Sequence, residues 1–298
     1  MTQARVQIVE VSPRDGLQAE ERTLPTETKL ELLDRLADAG HTTIEATSFV
    51  SPTAVPQLAD ADDLMKRLRR RPGVRYPVLV PNERGLERAV AAGADEVAVF
   101  VSASESYSRK NLRRGRDEAI ATALLVTAAA KARGLRVRGY VSMVIADPDD
   151  GPTDPDAVAK IGARFLGAGA DELSLGDTVG AGTVTHVRAL LAAHREAQIP
   201  LDRIAVHFHD TYGQGLANVL TAIELGVTVV DASIGGIGGS PFAKRASGNL
   251  ATEDVVWMLD GMGIATGVDV RRLADTTRWM AQQLGRELPG RAARALLA

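Results

Sequence analysis

An alternation of eight β-type segments with stretches of helical periodicity restricts this chain of 298 residues more than any other feature. The strand-like segments are Val6–Val11, Thr43–Thr47, Arg75–Val80, Glu96–Val101, Val137–Ser142, Glu172–Leu175, Ile204–His209 and Val229–Ile234. Between them, Thr28–Ala39 puts Leu30, Leu33, Leu36 and Ala37 on one helical face, and Glu118–Ala132, Asp156–Leu166 and Gly215–Leu225 read the same way. Several helices end on one punctuation mark: Ala39-Gly40, Ala92-Gly93, Arg133-Gly134, Ala168-Gly169 and Leu225-Gly226. A glycine there takes the left-handed conformation that stops a helix. Eight β/α units in a chain of this length predict an α/β fold, a closed (β/α)8 TIM barrel. The rival is an open doubly wound sheet, whose first strand usually leads into a phosphate-binding glycine fingerprint. Here the first strand leads into Ser12-Pro13-Arg14-Asp15-Gly16. No linker or shift in composition divides the chain. Residues 1–298 therefore read as a single barrel domain, with residues 271–298 as added C-terminal helices.

Composition narrows the function. A net charge of -3 leaves no basic footprint for nucleic acid. No apolar run approaches bilayer length, so no membrane partner is expected. The first five residues lead directly into a strand, which leaves no room for a targeting peptide and makes a cytoplasmic location the expectation. The absence of cysteine removes disulfides, thiolate metal ligands and thiol nucleophiles.

Barrel enzymes carry their chemistry at the C-terminal strand ends. Val206-His207-Phe208-His209-Asp210 is the clearest signal there. Alternation turns His207 and His209 to one side and Val206 and Phe208 toward the helices. Two imidazoles at a barrel mouth suggest metal ligation, against the plainer reading of two packed, hydrogen-bonded histidines. Three further histidines, His41, His186 and His194, lie on or beside helices and are expected at the surface. Asp15 and Asn249 are the candidate oxygen ligands, because strands 1, 7 and 8 are neighbours in a closed barrel. Asp15 could equally be a turn residue, and Asn249 a helix N-cap. Such a donor set suits Mg²⁺ or Mn²⁺.

Arg14, beside Asp15, could stabilise a developing enolate. Glu45, on the second strand, needs a partner if buried, and Arg14 can supply it. Asp177, at the end of the sixth strand, is expected at the mouth, with helix capping as the alternative. Gly235-Gly236-Ile237-Gly238-Gly239-Ser240-Pro241 suggests a mobile lid or a phosphate cradle. The basic cluster Arg109, Lys110, Arg113 and Arg114, with Asn111, suits either plain solvation or a phosphorylated or coenzyme A ligand.

Five segments together resemble the 3-hydroxy-3-methylglutaryl-CoA lyase family. They are Val9–Gln18, Thr47–Pro52, Ser174–Thr178, His207–Gln214 and Ala246–Asp254, in family order between about residues 6 and 268. The resemblance implies a metal-dependent barrel that cleaves a 3-hydroxy-3-methylglutaryl thioester to acetyl-CoA and acetoacetate. It implies a divalent cation site at Asp15, His207, His209 and Asn249, and enolate stabilisation by Arg14. Supporting roles fall to Glu45, Asp177 and Glu253, and coenzyme A contacts to Lys110 and Asn111. A homodimer is implied as well. Asp15 and His207 both remain candidates for the base. One position departs from the pattern: the family's Gly-Gly-Cys-Pro is Gly238-Gly239-Ser240-Pro241 here. A hydroxyl is a far weaker acid than a thiol. The departure keeps open a lyase with a related hydroxyacyl-CoA substrate, a condensing synthase, and a non-catalytic acyl-CoA binder.

Overall fold

The strand segments are rich in Val and Ile and are covered on both sides. They assemble as the parallel sheet that such sequences favour. The computed structural model describes residues 5–239 and 248–298. Its barrel strands are β1 (Gln7–Glu10), β2 (Thr47–Ser48), β3 (Val78–Leu79), β4 (Glu96–Ser102), β5 (Arg136–Ser142), β6 (Glu172–Asp177), β7 (Ile204–Phe208) and β8 (Val229–Ala232). Their order is β1-β8-β7-β6-β5-β4-β3-β2, all parallel. The ring closes between β1 and the segment before β2: Glu10 N–H donates to Thr43 O (3.1 Å) and Glu45 N–H to Glu10 O (2.9 Å). This is the (β/α)8 TIM barrel expected from the alternation.

Helices Thr26–Asp38, Arg116–Ala132, Pro155–Gly167 and Gly215–Glu224 occupy the expected positions, shifted by a residue or two at their ends. The five glycines after helices all adopt positive φ. Gly40 is the most constrained, since a Cβ there would lie 2.2 Å from Gly267 O. Helices Val270–Leu284 and Arg291–Leu296 form the C-terminal addition.

The main apolar core lies between sheet and helices, where Val206 and Phe208 are buried. Val9, Val11, Ala205 and Val229 form a separate apolar cluster from the opposite strand faces. His41 and His194 do not lie at the surface as expected. They are 1% and 0% exposed respectively, and only His186 is exposed. Burial pushes the His41 imidazole down to about 4, so it is neutral at physiological pH. His194 Nδ1 donates to Leu190 O one turn earlier (2.7 Å), which gives a buried helical histidine its partner.

Candidate active site

The site begins where β1 ends. Three successive amides, those of Arg14, Asp15 and Gly16, donate to Val11 O, and this wide turn presents Arg14 and Asp15 side by side. Arg14 is buried and held at two of its three nitrogens. Its Nε donates to Glu45 Oε2 (2.7 Å), its Nη1 to Asp15 Oδ1 (2.7 Å), and its guanidinium lies 5.5 Å from the centre of the Tyr140 ring. The pairing of Arg14 with Glu45 anticipated from sequence is therefore present. Burial works against both charges. Glu45 ends above its ordinary range because desolvation outweighs Arg14, whereas for Arg14 the two carboxylates outweigh desolvation. Asp15 is half-buried; desolvation raises its carboxyl, but Arg14, the two histidines and Asn249 outweigh that and hold it down at about 2.

His207 and His209 project together, their ring centres 5.4 Å apart. One ligating atom from each of Asp15, His207 and His209 lies within 4.8 Å of the others. Asn249 closes the group. Its Nδ2 donates to Asp15 Oδ2 (2.8 Å) and to Ile237 O (3.1 Å). It is not a helix cap, since the helix Thr252–Gly261 is capped at Ala251. The glycines before it allow this approach: a Cβ on Gly238 would sit 2.3 Å from Asn249 Nδ2.

Other sequence candidates lie apart from this cluster. Asp177 is turned away from the mouth. It shares a strand face with Leu173 and Leu175, and its carboxylate accepts from Ala181 N (3.2 Å) and Gly182 N (2.7 Å). It braces the loop after β6, and burial raises its proton affinity. Glu253 is buried behind the glycine-rich stretch, where it accepts from Gly235 N (2.9 and 3.1 Å) and from the Thr277 hydroxyl. Burial pushes it up to about 7. Lys110 and Asn111 lie on the helix Glu105–Leu112 that follows β4; Lys110 is exposed and paired with Asp149. Gly235 to Ile237, expected in a mobile lid, are buried. Ser240 and Pro241 lie outside the described residues.

Sequence reasoning missed the groups beneath the site. Asp231 on β8 is in register with His207 on β7, and its Oδ2 lies 3.2 Å from His207 Nδ1. Arg138 on β5 donates from Nη2 to Asp231 Oδ1 (2.6 Å) and from Nη1 to the Tyr140 hydroxyl (3.0 Å), and pairs with Glu172 (2.8 Å). Ser174 Oγ donates to Asp231 Oδ2 (2.9 Å). The available signal was a charged residue in the middle of a Val-rich barrel strand, as in Val229-Val230-Asp231 and Val137-Arg138. Such a group has to be paired if it is buried.

Fold and site together define a (β/α)8 barrel with two histidines, a carboxylate and a fixed arginine gathered at its mouth. The chain belongs to the HMGL-like family, whose model matches residues 5–280. It is similar to the mitochondrial hydroxymethylglutaryl-CoA lyase of Bos taurus, 48% identical over 98% of this chain and 89% of that protein. It is similar in structure to hydroxymethylglutaryl-CoA lyase from Pseudomonas aeruginosa, with a TM-score of 0.95, 44% identity, and coverage of 100% of this chain and 99% of the other. An Acinetobacter baumannii HMG-CoA lyase, solved with coenzyme A and 3-methylmalate, superposes with a TM-score of 0.93 at 35% identity, covering 98% and 95% of the two chains.

Proposed function

We propose that this protein is a divalent-metal-dependent carbon–carbon lyase that cleaves 3-hydroxy-3-methylglutaryl-CoA to acetyl-CoA and acetoacetate. The observation that carries the reading is the convergence of Asp15, His207 and His209 beside the Arg14 guanidinium. The similarity to named lyases supports the substrate, and neither a condensing synthase nor a non-catalytic binder is favoured.

The donor set fits a hard divalent ion such as Mg²⁺ or Mn²⁺: a carboxylate oxygen and two imidazole nitrogens, with no thiolate anywhere in the chain. Asn249 uses Nδ2 within the protein, which leaves Oδ1 as the atom it offers. When bound, the cation supplies Lewis-acid polarisation of the substrate oxygens.

The tertiary hydroxyl of the substrate gives up its proton at the cluster, where the Asp15 carboxylate can accept it; His207, with Nδ1 on Asp231 and Nε2 among the candidate ligand atoms, has no lone pair left for it when a cation is held. The oxygen's electron pair forms the acetoacetate carbonyl, the carbon–carbon bond breaks, and its electrons pass to the thioester enolate. Arg14 is held by Nε and Nη1, so Nη2 can donate to the enolate oxygen without disturbing either pair. A proton delivered to the enolate carbon completes acetyl-CoA. Lys110 exchanges an exposed carboxylate partner for a coenzyme A phosphate, a swap between two weakly held surface states. A homodimer belongs to the same proposal and is read by light scattering.

The test is product analysis. Purified protein is incubated with 3-hydroxy-3-methylglutaryl-CoA and a panel of related hydroxyacyl-CoAs, with and without Mg²⁺. Acetyl-CoA and acetoacetate should form from the first substrate only when the metal is present. Metal-independent turnover, or turnover confined to another hydroxyacyl-CoA, refutes the proposal.

A further inference from the structure

We infer that Asp231 is a positioning residue: it fixes His207 in the tautomer that carries its proton on Nδ1 and turns a bare Nε2 toward Asp15. The inference rests on the metal-centre reading above and extends it to a residue outside the ligand set.

The argument starts from the bonding of Asp231. The residue is buried, and donors engage both of its oxygens. Arg138 Nη2 donates to Oδ1 at 2.6 Å, and Ser174 Oγ donates to Oδ2 at 2.9 Å. A carboxylate so occupied is an acceptor only. The contact of 3.2 Å between Oδ2 and His207 Nδ1 is then a hydrogen bond only if the nitrogen carries the proton. A neutral imidazole has one N–H, so Nε2 is left with its lone pair free.

The position of Nε2 matters. It lies 3.9 Å from Asp15 Oδ2, too far for a hydrogen bond but within the spacing of the candidate ligand group. The opposite tautomer would present an N–H to that group, and an N–H cannot ligate a cation.

The support behind Asp231 is itself rigid. Arg138 is 2% exposed and is held from the far side by Glu172 and Tyr140. Tyr140 also meets the His207 ring edge-on, at 6.1 Å between centres and an angle of 85°. Ring orientation and proton position are therefore both set by residues of β5, β6 and β8. Outer partners of this kind typically govern metal affinity by about 10- to 100-fold.

The test reads the proton directly. Protein labelled with ¹⁵N-histidine is stripped of metal and studied at pH 9 by long-range ¹H–¹⁵N correlation, with His207 assigned by its loss in His207→Ala. The expected spectrum has Nδ1 protonated and Nε2 bare. An Nε2–H tautomer in the wild-type protein overturns the inference, and this measurement needs no variant of Asp231 to fold. In Asp231→Asn the side-chain amide can donate to Nδ1, so the Nε2–H tautomer should gain population. Mn²⁺ affinity, followed by electron paramagnetic resonance, should fall about 10- to 100-fold. An unchanged tautomer with unchanged affinity for Mn²⁺ also overturns it. The spectrum is recorded without substrate or metal, so a missing lyase activity would count against the proposed function and leave this result standing.

Discussion

Replacing Glu253 by Gln should stabilise the protein at pH 8 and leave it nearly unchanged at pH 5. Glu253 is fully buried, and desolvation moves its carboxyl from the ordinary 4.5 to about 7. Between those values the unfolded chain has released the proton and the folded chain still holds it. The folded state then binds more protons, so stability falls as pH rises through this window and is flat above it. At about 1.36 kcal/mol per pH unit, the buried charge costs up to about 3 kcal/mol above pH 7. Glutamine has the shape of the protonated acid. Its oxygen accepts from Gly235 N, and its amide N–H faces the Thr277 hydroxyl, which can turn to accept. The expected gain at pH 8 is about 1–3 kcal/mol, a rise in melting temperature of about 2–8 °C. Thermal unfolding followed by circular dichroism, with both proteins at pH 5 and pH 8, measures it. A variant less stable than wild type at pH 8, or equally stabilised at both pH values, would show that the ionised carboxylate is not the source. Glu10 supplies an internal control. It is buried nearby, accepts from Ile234 N (3.1 Å), is also raised to about 7, and its charge adds to the rise at Glu253. Glu10→Gln should act in the same direction, and the double variant should gain less than the sum, because removing one charge relieves the other.

Further outcomes follow from the site. His207→Ala or His209→Ala should abolish binding of Mn²⁺ or Mg²⁺, read by titration calorimetry; undiminished affinity in both variants would put the metal elsewhere. Arg14→Lys keeps the charge but cannot hold Glu45 and Asp15 at once while donating to an enolate, so kcat should fall by more than KM rises. A change confined to KM would assign Arg14 to uniform substrate binding. Ser240→Cys should raise turnover on 3-hydroxy-3-methylglutaryl-CoA by about 10²–10⁴-fold, the scale of a restored general acid, and Ser240→Ala should change little. A variant Ser240→Ala that is dead, beside a Ser240→Cys that is no faster, would mean that the hydroxyl serves a different reaction.

The barrel was legible because its strongest signals are local: β-branched runs, helical periodicity, and a glycine after each of several helices. The ladder was less legible around its closure. Arg75–Val80 reads as one strand, but only Val78–Leu79 is regular, with a single bridge at Arg75. Pro77 has no N–H to give, and contributes only its carbonyl, to Ala46 N at 2.9 Å. Buried histidines were misplaced for another reason. His194 sits in the helix Val184–Glu196, where Val187, Leu190 and Leu191 mark the inward face and position 194 falls on the same stripe. The periodicity therefore carried the signal, and the polar character of the residue masked it; Nδ1 donates to Leu190 O within the helix, which lets the ring be buried there.

Two acids show how much of the site depended on counting strand parity. Asp177 ends a strand beside a glycine, and its place in the chain suggests the barrel mouth. Yet it stands three residues after Ser174, whose hydroxyl reaches Asp231 inside the barrel, so alternation turns Asp177 to the opposite face. Asp231 lies in mid-strand and draws no attention as a motif. It is in register with His207, however, so once His207 is taken to face inward, Asp231 must do the same. Its charge can then survive burial only with partners, which Arg138 and Ser174 supply. Motif position points to the ligands, whereas parity and register identify the acid that stands beneath one of them, His207.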